Sequence, residues 1–353
     1  MKLEDEQQRS LYSVKIREDG KGVTAVDDNG QIFVWDITRP DVPNLVETYT
    51  AVSPRIGMVS YSGDGQIVAV GNLGGTVQLF QVATGKLIQE LSDETGPILS
   101  LALSTDGQLL VTGNKEGHLR FWSVAEGKLQ QVIETKPVAI NALAISPDGK
   151  MLASTHGVGD HAVRLWVVGA DSCWRIRHTL LGHTHVIWSV AFGPRPEPDA
   201  IGNLSAKPQQ LVTAGSDQTV RVWDVETGQL LYTRRGQPRA LSAIAIRPFS
   251  TMQLPLPEED PEAEWLLVLA GYDHFVHVWT GKRTQARMPS RTLHGTDKAL
   301  YGVAISPNGR IIAGAGHDKI IYLWNTVTGA LLQNFHGHTN SISHLDCHPN
   351  GEL

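Results

Sequence analysis

The sequence predicts an all-β fold made of seven copies of one four-stranded unit, and three observations support this prediction. Seven segments end in an aromatic residue that follows alternating apolar residues, and these aromatics are Trp35, Phe80, Trp122, Trp166, Trp223, Trp279 and Trp324. Successive aromatics lie 45, 42, 44, 57, 56 and 45 positions apart, and four of these intervals match the length of a four-stranded repeat. No segment carries apolar residues at helical spacing over about a dozen positions.

Each repeat reads as four short strands joined by tight turns. In the third repeat, an apolar run at 98–104 is followed by a turn and a second apolar run at 108–113. The turn at 146–149 has the sequence Ser-Pro-Asp-Gly, in which Pro presets φ and Gly accepts the positive φ of a hairpin. In the fifth repeat, a turn at 226–228 opens a fourth strand at 230–233. Because all these connections are short, neighbouring strands are expected to pair antiparallel.

The strands are more continuously apolar than strands with one solvated face, so an isolated unit cannot bury both of its faces. Units arranged in a ring cover one another. The sequence therefore predicts a seven-bladed β-propeller of four-stranded antiparallel blades over residues 11–340, preceded by a polar tail at 1–10. Residues 341–353 read as the start of an incomplete eighth repeat, which is either a dangling or exchanged strand or, as we favour, a sign that the gene product continues.

The fifth repeat carries a specific motif, with Gly182-His183, Thr213, Asp217 and Trp223-Asp224. With this motif the chain resembles the WD-repeat β-propeller family, and the resemblance covers about residues 10–340. In that family a His, a Ser or Thr, an Asp and a Trp form a hydrogen-bonded tetrad that ties the blade together. The resemblance implies that His183, Thr213, Asp217 and Trp223 form this structural tetrad, which would give a buried Trp N–H and a buried Asp their partners.

The other repeats depart from the tetrad pattern. Six residues before the aromatic, where Asp is expected, stand Asn29, Gly74, Glu116, Asp160, Asp273 and Asp318. Ten residues before it stand Ala25, Val70, Thr112, Leu269 and Gly314, and the fourth repeat has Ser154 displaced by two positions. We therefore expect a complete network in the fifth blade alone, with the other blades relying on packing.

Two insertions account for the long intervals. Residues 193–210 and 247–264 are rich in Pro and polar residues, and both fall between the first and second strands of a blade, the fifth and the sixth. Residues 258–264 carry five carboxylates, which indicates either a docking site for a basic partner or, as we favour, a solvated loop offset by basic residues of the following loop.

The resemblance also implies a partner-binding surface, because WD-repeat propellers generally use their narrower top face. Carrying the family positions over gives eight candidate partner-binding residues: Tyr12, Arg55, Lys115, Asn141, Trp188, Tyr272, Tyr301 and His317. Protein interfaces are enriched in Tyr, Trp and Arg. Tyr12, Trp188, Tyr272 and Tyr301 belong to consecutive blades, so we expect one contiguous arc. The alternative is that Trp188 or Tyr301 packs inward at a blade seam.

No residue pattern predicts catalysis, a cofactor or a metal. The histidines and the cysteine at 336–348 fall largely on repeat positions and match no established zinc spacing. Glycine-rich fragments at 71–75 and 157–159 do not open a helix, which a phosphate loop requires. The predicted function is therefore a non-catalytic scaffold for a protein or peptide partner, alone or as the binding part of a larger multidomain protein. The alternative is a propeller enzyme of the hydrolase type with its site in the central channel.

Charge and cysteine usage narrow the partners and the compartment. The chain has 30 basic and 36 acidic residues, for a net charge of −6, which argues against a general nucleic-acid or anionic-membrane surface. Two cysteines, Cys173 and Cys347, are too few for a secreted disulfide framework, so the expected location is cytoplasmic. Residues 1–10 are polar rather than a signal peptide, and no run approaches the length of a membrane span.

Overall fold

The computed structural model describes residues 11–16, 22–27, 31–36, 44–50, 56–62, 65–92, 96–193, 209–235, 239–248, 265–281, 291–306, 308–335, 341–342 and 345. In this part of the chain every regular secondary-structure element is a β-strand, and the strands form seven four-stranded antiparallel sheets. The all-β class and the four-stranded antiparallel blades are confirmed. That the seven sheets close into one ring stays a prediction.

Each blade is a contiguous stretch of chain whose four strands pair in sequence order. Blade one has β1 (Leu11–Ile16), β2 (Gly22–Asp27), β3 (Gln31–Asp36) and β4 (Asn44–Thr50). Blade two has β5 (Ile56–Tyr61), β6 (Ile67–Asn72), β7 (Thr76–Gln81) and β8 (Leu87–Ser92). Blade three has β9 (Ile98–Leu103), β10 (Leu109–Asn114), β11 (His118–Ser123) and β12 (Lys128–Glu134). Blade four has β13 (Ile140–Ile145), β14 (Met151–His156), β15 (Val163–Val168) and β16 (Trp174–Leu180).

The last three blades follow the same order. Blade five has β17 (Ile187–Phe192), β18 (Gln210–Gly215), β19 (Val220–Asp224) and β20 (Leu230–Arg234). Blade six has β21 (Leu241–Pro248), β22 (Trp265–Gly271), β23 (Val276–Gly281) and β24 (Arg291–Leu293). Blade seven has β25 (Leu300–Ile305), β26 (Ile311–Gly316), β27 (Ile321–Asn325) and β28 (Leu331–Phe335). From β5 to β25 the first strands of consecutive blades contact one another, so they form the inner wall of the assembly.

The two insertions lie where the sequence predicted, between β17 and β18 and between β21 and β22. Residues 194–208, residues 249–264 with their acidic cluster, and the basic loop at 282–290 are outside the described residues. The polar tail at 1–10 is outside them as well.

Five of the buried apolar clusters among the described residues each join two neighbouring blades. Trp223 of blade five is in one buried cluster with Met151 and Leu165 of blade four. Trp279 of blade six packs in the same way with Val212 of blade five. The third-strand aromatic therefore reaches the preceding blade, and the two-faced apolar strands gain their burial from their neighbours.

Serine side chains on the inner strands connect neighbouring blades. Ser100 Oγ donates to the carbonyl of Ile140 (2.8 Å), and Ser242 Oγ donates to the carbonyl of Leu300 (2.7 Å). Ser189 Oγ accepts a hydrogen bond from the Ile244 N–H (3.1 Å). These small polar side chains satisfy backbone groups at the seams, where the blades leave little room for water.

The described residues that follow blade seven pack against the face of that blade that lies opposite blade six. Ile342 is 2% exposed and Leu345 is 8% exposed, and both are in a buried cluster with Ala304 and Leu323 of blade seven. The Ile342 N–H donates to the carbonyl of Gly316 (2.9 Å). The other face of blade seven packs on blade six. The segment therefore occupies the face that would meet blade one in a closed ring of seven.

Replacing Ile342 with a charged residue tests whether this segment stabilises blade seven by packing against it. Ile342→Asp places a carboxylate against buried alanine and leucine side chains, so it should lower the unfolding free energy by about 2 kcal/mol or more. Leu332→Asp is the matched control, because Leu332 on β28 is 52% exposed. Thermal unfolding followed by circular dichroism measures both. Equal melting temperatures for the two variants would show that the segment does not stabilise blade seven.

Candidate partner-binding face

The four tetrad residues of blade five are joined by a chain of hydrogen bonds. His183 Nδ1 lies 2.7 Å from Asp217 Oδ2, and His183 Nε2 lies 2.8 Å from Thr213 Oγ1. The Trp223 indole N–H donates to the same Thr213 hydroxyl (2.9 Å). All four side chains are buried, so the network ties the loop before β17 to β18, to the following turn and to β19.

The charge in this network is held by hydrogen bonds. Burial alone would raise the pKa of the Asp217 carboxyl, but His183, Thr219 and the Thr184 N–H all donate to it and hold its pKa well below its usual range. Asp217 therefore remains ionised at neutral pH. An ionised, fully bonded carboxylate fixes the turn after β18 in one geometry.

The expectation that other blades rely on packing alone is wrong for three of them. The Trp122 indole donates to Thr112 Oγ1 (3.3 Å), and the Trp324 indole donates to the carbonyl of His294 (2.9 Å). In blade four, Trp166 donates to Ser154 (2.9 Å) despite the shifted spacing. In blades three and four the acceptor is the hydroxyl at the tetrad position, because Thr112 and Ser154 pair with the third strand as Thr213 does. In blade seven a loop carbonyl takes its place.

Blade six does follow the packing expectation. The Trp279 indole nitrogen is buried and has no hydrogen-bond partner among the described residues. Leu269, which is fully buried, stands at the position where Thr213 stands in blade five. An apolar side chain there leaves the indole N–H without an acceptor, and burial of an unbonded donor is costly.

Blades five and six therefore form a matched pair for measuring the tetrad bond. Trp223→Phe removes a donor that is bonded, whereas Trp279→Phe removes a donor that is not. We expect Trp223→Phe to lower the unfolding free energy by about 1–2 kcal/mol more than Trp279→Phe does. Urea unfolding of both variants measures this difference. Equal losses would mean that the Thr213 bond adds nothing beyond ring packing.

The carboxylates of the remaining blades are paired within their own turns. Asp160 accepts from Arg164 (2.5 Å), Asp273 pairs with His277 (2.6 Å), and Asp318 accepts from the Tyr322 hydroxyl (2.8 Å). In each case the partner lies four residues after the Asp, on the third strand. This local pairing turns the carboxylates inward, away from the surface.

Blade four contains a buried histidine that the sequence did not single out. His156 Nε2 shares a hydrogen bond with Ser154 Oγ (3.1 Å), and the side chain is fully buried. Burial, followed by the positive charge of Arg164, lowers the pKa of His156 to about 4. His156 is therefore neutral at neutral pH and extends the Trp166–Ser154 pair into a three-residue network.

The lowered pKa makes the stability of the protein depend on pH. A histidine in the unfolded chain has a pKa of about 6.5. Between that pH and about 4, the unfolded state therefore binds a proton that His156 in the folded state does not bind. The unfolding free energy should fall as the pH is lowered from about 6.5 towards 4, by something on the order of 2–3 kcal/mol. His156→Gln should remove this slope, and His161→Gln, at a half-buried position, is the control. A slope that survives His156→Gln would assign it to other groups.

Every first strand carries a β-bulge at its second residue. In blade five, Ile187 pairs with Gly215 and Ser189 pairs with Ala214, which leaves Trp188 as the extra residue. The same register shift falls at Tyr12, Asn141 and Tyr301, all of them candidate binding residues. A bulge redirects its side chain and interrupts regular pairing, so these residues are presented at the end of the inner strand.

The turns between second and third strands supply the other half of the face. At the end where each first strand begins, the carbonyl just before that strand accepts the N–H of a turn residue. The bonds run from Ser216 to Val186 (2.8 Å), from Tyr272 to Ala240 (3.0 Å) and from His317 to Ala299 (2.9 Å). Turn and bulge residues are thus held side by side on one face, which we call the top face.

On the top face of blades six and seven, three aromatic rings form a run. The Tyr272 and Tyr301 rings lie 5.8 Å apart in a tilted arrangement, and Tyr301 meets His317 edge to face at 6.4 Å. Tyr272 is 43% exposed. Burial, helped by neighbouring Tyr272, raises the pKa of Tyr301, so its hydroxyl stays protonated. These three residues, here called the aromatic run, are contiguous, and two of them, Tyr272 and Tyr301, belong to the arc that the sequence predicts.

Trp188 is exposed rather than packed at a seam. Its side chain is 46% exposed, and its indole N–H donates to Ser216 Oγ (2.7 Å). The inward alternative is therefore wrong for Trp188, while Tyr301 is half-buried. Between Trp188 and the aromatic run lies Ser242, the bulge residue of blade six.

The remaining predicted residues have mixed positions. Lys115 is exposed, and its N–H donates to the Pro97 carbonyl (3.2 Å), as in the other top-face turns. Asn141 is half-buried, and its Nδ2 has no partner among the described residues. Arg55 and the Tyr12 side chain lie outside the described part of the chain.

The described residues were also searched for metal and membrane features. They contain no group of three or more His, Cys, Asp or Glu side chains placed to hold a metal ion. The same part of the chain contains no helix with the length and apolar character that a membrane span requires.

With this geometry established, comparisons with known proteins identify the class. The WD domain, G-beta repeat family model matches residues 85–123, 127–167, 174–224, 287–325 and 329–353, more than half of the chain. The chain belongs to the WD-repeat family. A crystal structure of the computationally designed Ika8 protein superposes with a TM-score of 0.73 at 22% identity, covering 96% of this chain and 90% of that one, which supports the fold alone.

Curated relatives share parts of the chain. Nuclear distribution protein PAC1 of Gibberella zeae is 31% identical over 55% of this chain and 42% of its own length. Target of rapamycin complex subunit wat1 of Schizosaccharomyces pombe is 32% identical over 26% of this chain and 29% of its own length. Pre-mRNA-splicing factor cwf17 of the same yeast is 32% identical over 22% of this chain and 23% of its own length. The chain thus spans less than half the length of these relatives.

Proposed function

We propose that this chain is a non-catalytic scaffold that binds a protein or peptide partner on its top face. The observation that carries the proposal is the aromatic run, in which Tyr272, Tyr301 and His317 contact one another at the surface. Tyrosine presents a large apolar area with a polar tip at low entropic cost, which is why it is common at interface centres.

The arrangement supports binding more than chemistry. The face is built from bulges and turns that are fixed by backbone hydrogen bonds, so its side chains are preorganised. The nearby carboxylates are already hydrogen-bonded, Asp273 to His277 and Asp318 to Tyr322 and Thr296. No observation in the described residues favours the alternative, a hydrolase-type enzyme with a central-channel site.

The proposal includes a setting for the scaffold. Two of the relatives are named as a complex subunit and as a splicing factor, which fits work within a larger assembly, or as the binding part of a larger multidomain protein. We place the protein in the cytoplasm, with neither a nucleic acid nor a membrane as its partner, because the chain is acidic overall and has only two cysteines.

A double substitution tests the face. Tyr272→Ala combined with Tyr301→Ala should abolish capture of the partner from a lysate of the source organism while leaving the melting temperature within a few degrees. Affinity capture with quantitative mass spectrometry measures the effect. The control is Leu332→Ala combined with Ile176→Ala, at two exposed positions on outer strands. If the Tyr272/Tyr301 variant still captures the same proteins as the native chain, the top-face proposal is wrong.

A further inference from the structure

Positive charges border the aromatic run on equivalent positions of two blades. Arg239 immediately precedes Ala240, whose carbonyl accepts the Tyr272 N–H, and Lys298 immediately precedes Ala299, whose carbonyl accepts the His317 N–H. Both side chains are exposed. The hydrogen bonds therefore hold each cation beside one end of the run.

These cations are specific to blades six and seven among the blades for which the position is described. In blades three, four and five the equivalent residues are Gly96, Val138 and His185. Lys319, also exposed, adds a further cation in the turn of blade seven, at a left-handed φ of 67°. The basic border thus coincides with the aromatic run, while Lys115 is an exposed top-face cation in the turn of blade three, away from that run.

Two of the three acidic side chains described beside the aromatic run, Asp273 and Asp318, are buried or half-buried. The Asp273 side chain is 3% exposed and paired with His277, and Asp318 accepts hydrogen bonds from Tyr322 and Thr296. Asp297 is exposed and lies 3.6 Å from Lys298. Among the exposed side chains described beside the run, Arg239, Lys298 and Lys319 are cations and Asp297 is an anion, although the chain as a whole carries −6.

We propose that the partner presents an acidic peptide segment to this surface, with an apolar or aromatic side chain against Tyr272 and Tyr301 and its carboxylates beside Arg239 and Lys298. This inference rests on the proposed function and adds the chemistry of the partner. An acidic chain repels acidic peptides elsewhere, so local charge complementarity selects this face and speeds association with it.

Fluorescence anisotropy with synthetic peptides tests the proposal. The probe is a short labelled peptide in which pairs of Asp or Glu alternate with Phe or Leu. One matched peptide has Lys in place of each acid, and another has Ser in place of each Phe or Leu. The acidic apolar peptide should bind at least about tenfold more tightly than either, and its affinity should fall as salt is raised, because exposed charges are screened.

Charge reversal locates the site. Arg239→Glu combined with Lys298→Glu should weaken the acidic peptide by about tenfold or more. Lys86→Glu combined with Lys128→Glu is the control, because both residues are exposed at turns between third and fourth strands, at the opposite end of the blades. It changes the net charge by the same amount. Equal weakening by both variants would overturn the proposal, because it would show a general charge effect.

The remaining outcomes separate this inference from the proposed function. Equal binding of the basic peptide, lost on Tyr272→Ala with Tyr301→Ala, would overturn the acidic preference and keep the binding face. Binding of none of the peptides would also overturn it, and lysate capture would then decide the proposed function alone. Binding of phosphatidylserine vesicles that depends on Arg239 and Lys298, without peptide binding, would overturn it and assign the basic border to a lipid surface.

Discussion

Packing between blades is the constraint on which the rest of the structure depends. A four-stranded sheet whose strands are apolar on both faces cannot bury them alone, and its neighbours must do so. The buried clusters show how this happens, since Trp223 and Trp279 each pack into the blade before their own. The geometry of a blade is therefore stabilised mainly by packing against its neighbours, and a single hydrogen bond within the blade contributes less. Blade six demonstrates this, because its Trp279 is buried with no indole partner among the described residues.

The same packing explains why the proposed binding face lies at the strand ends. The broad surfaces of the sheets are used up by neighbouring blades, so only the ends and the outer strands remain available. At the top end, the bulge at Tyr301 and the turn at Tyr272 extend side chains beyond regular pairing. A rigid scaffold with irregular ends separates stability from recognition, and residues at the ends can vary at little cost to the core.

Much of this arrangement was predictable from sequence, and the exceptions have physical reasons. The third-strand tryptophans were found because alternation of apolar residues directly reflects burial. The blade-five tetrad was found through the resemblance to the WD-repeat family, which implies a hydrogen-bonded chain at these positions. The bulges were not found, because register depends on pairing between strands and leaves no pattern of its own. The Ser154–His156 pair was missed because Ser154 is displaced by two positions from the repeat. Lys298 was missed because its importance comes from the carbonyl of Ala299, a backbone contact that composition does not reveal.

The predicted closure of the ring depends on what packs against the free face of blade seven. Leu11 and Val14 of the first repeat hold the same positions in sequence as Ile342 and Leu345 after the last one. In this structure Ile342 and Leu345 pack on the face of blade seven that lies opposite blade six. Blades three to seven each present the same apolar pair to the blade before them, so none of these blades by itself encodes the number of blades. Ile342 and Leu345 thus hold the positions on blade seven that Leu11 and Val14 are predicted to fill in a closed ring of seven.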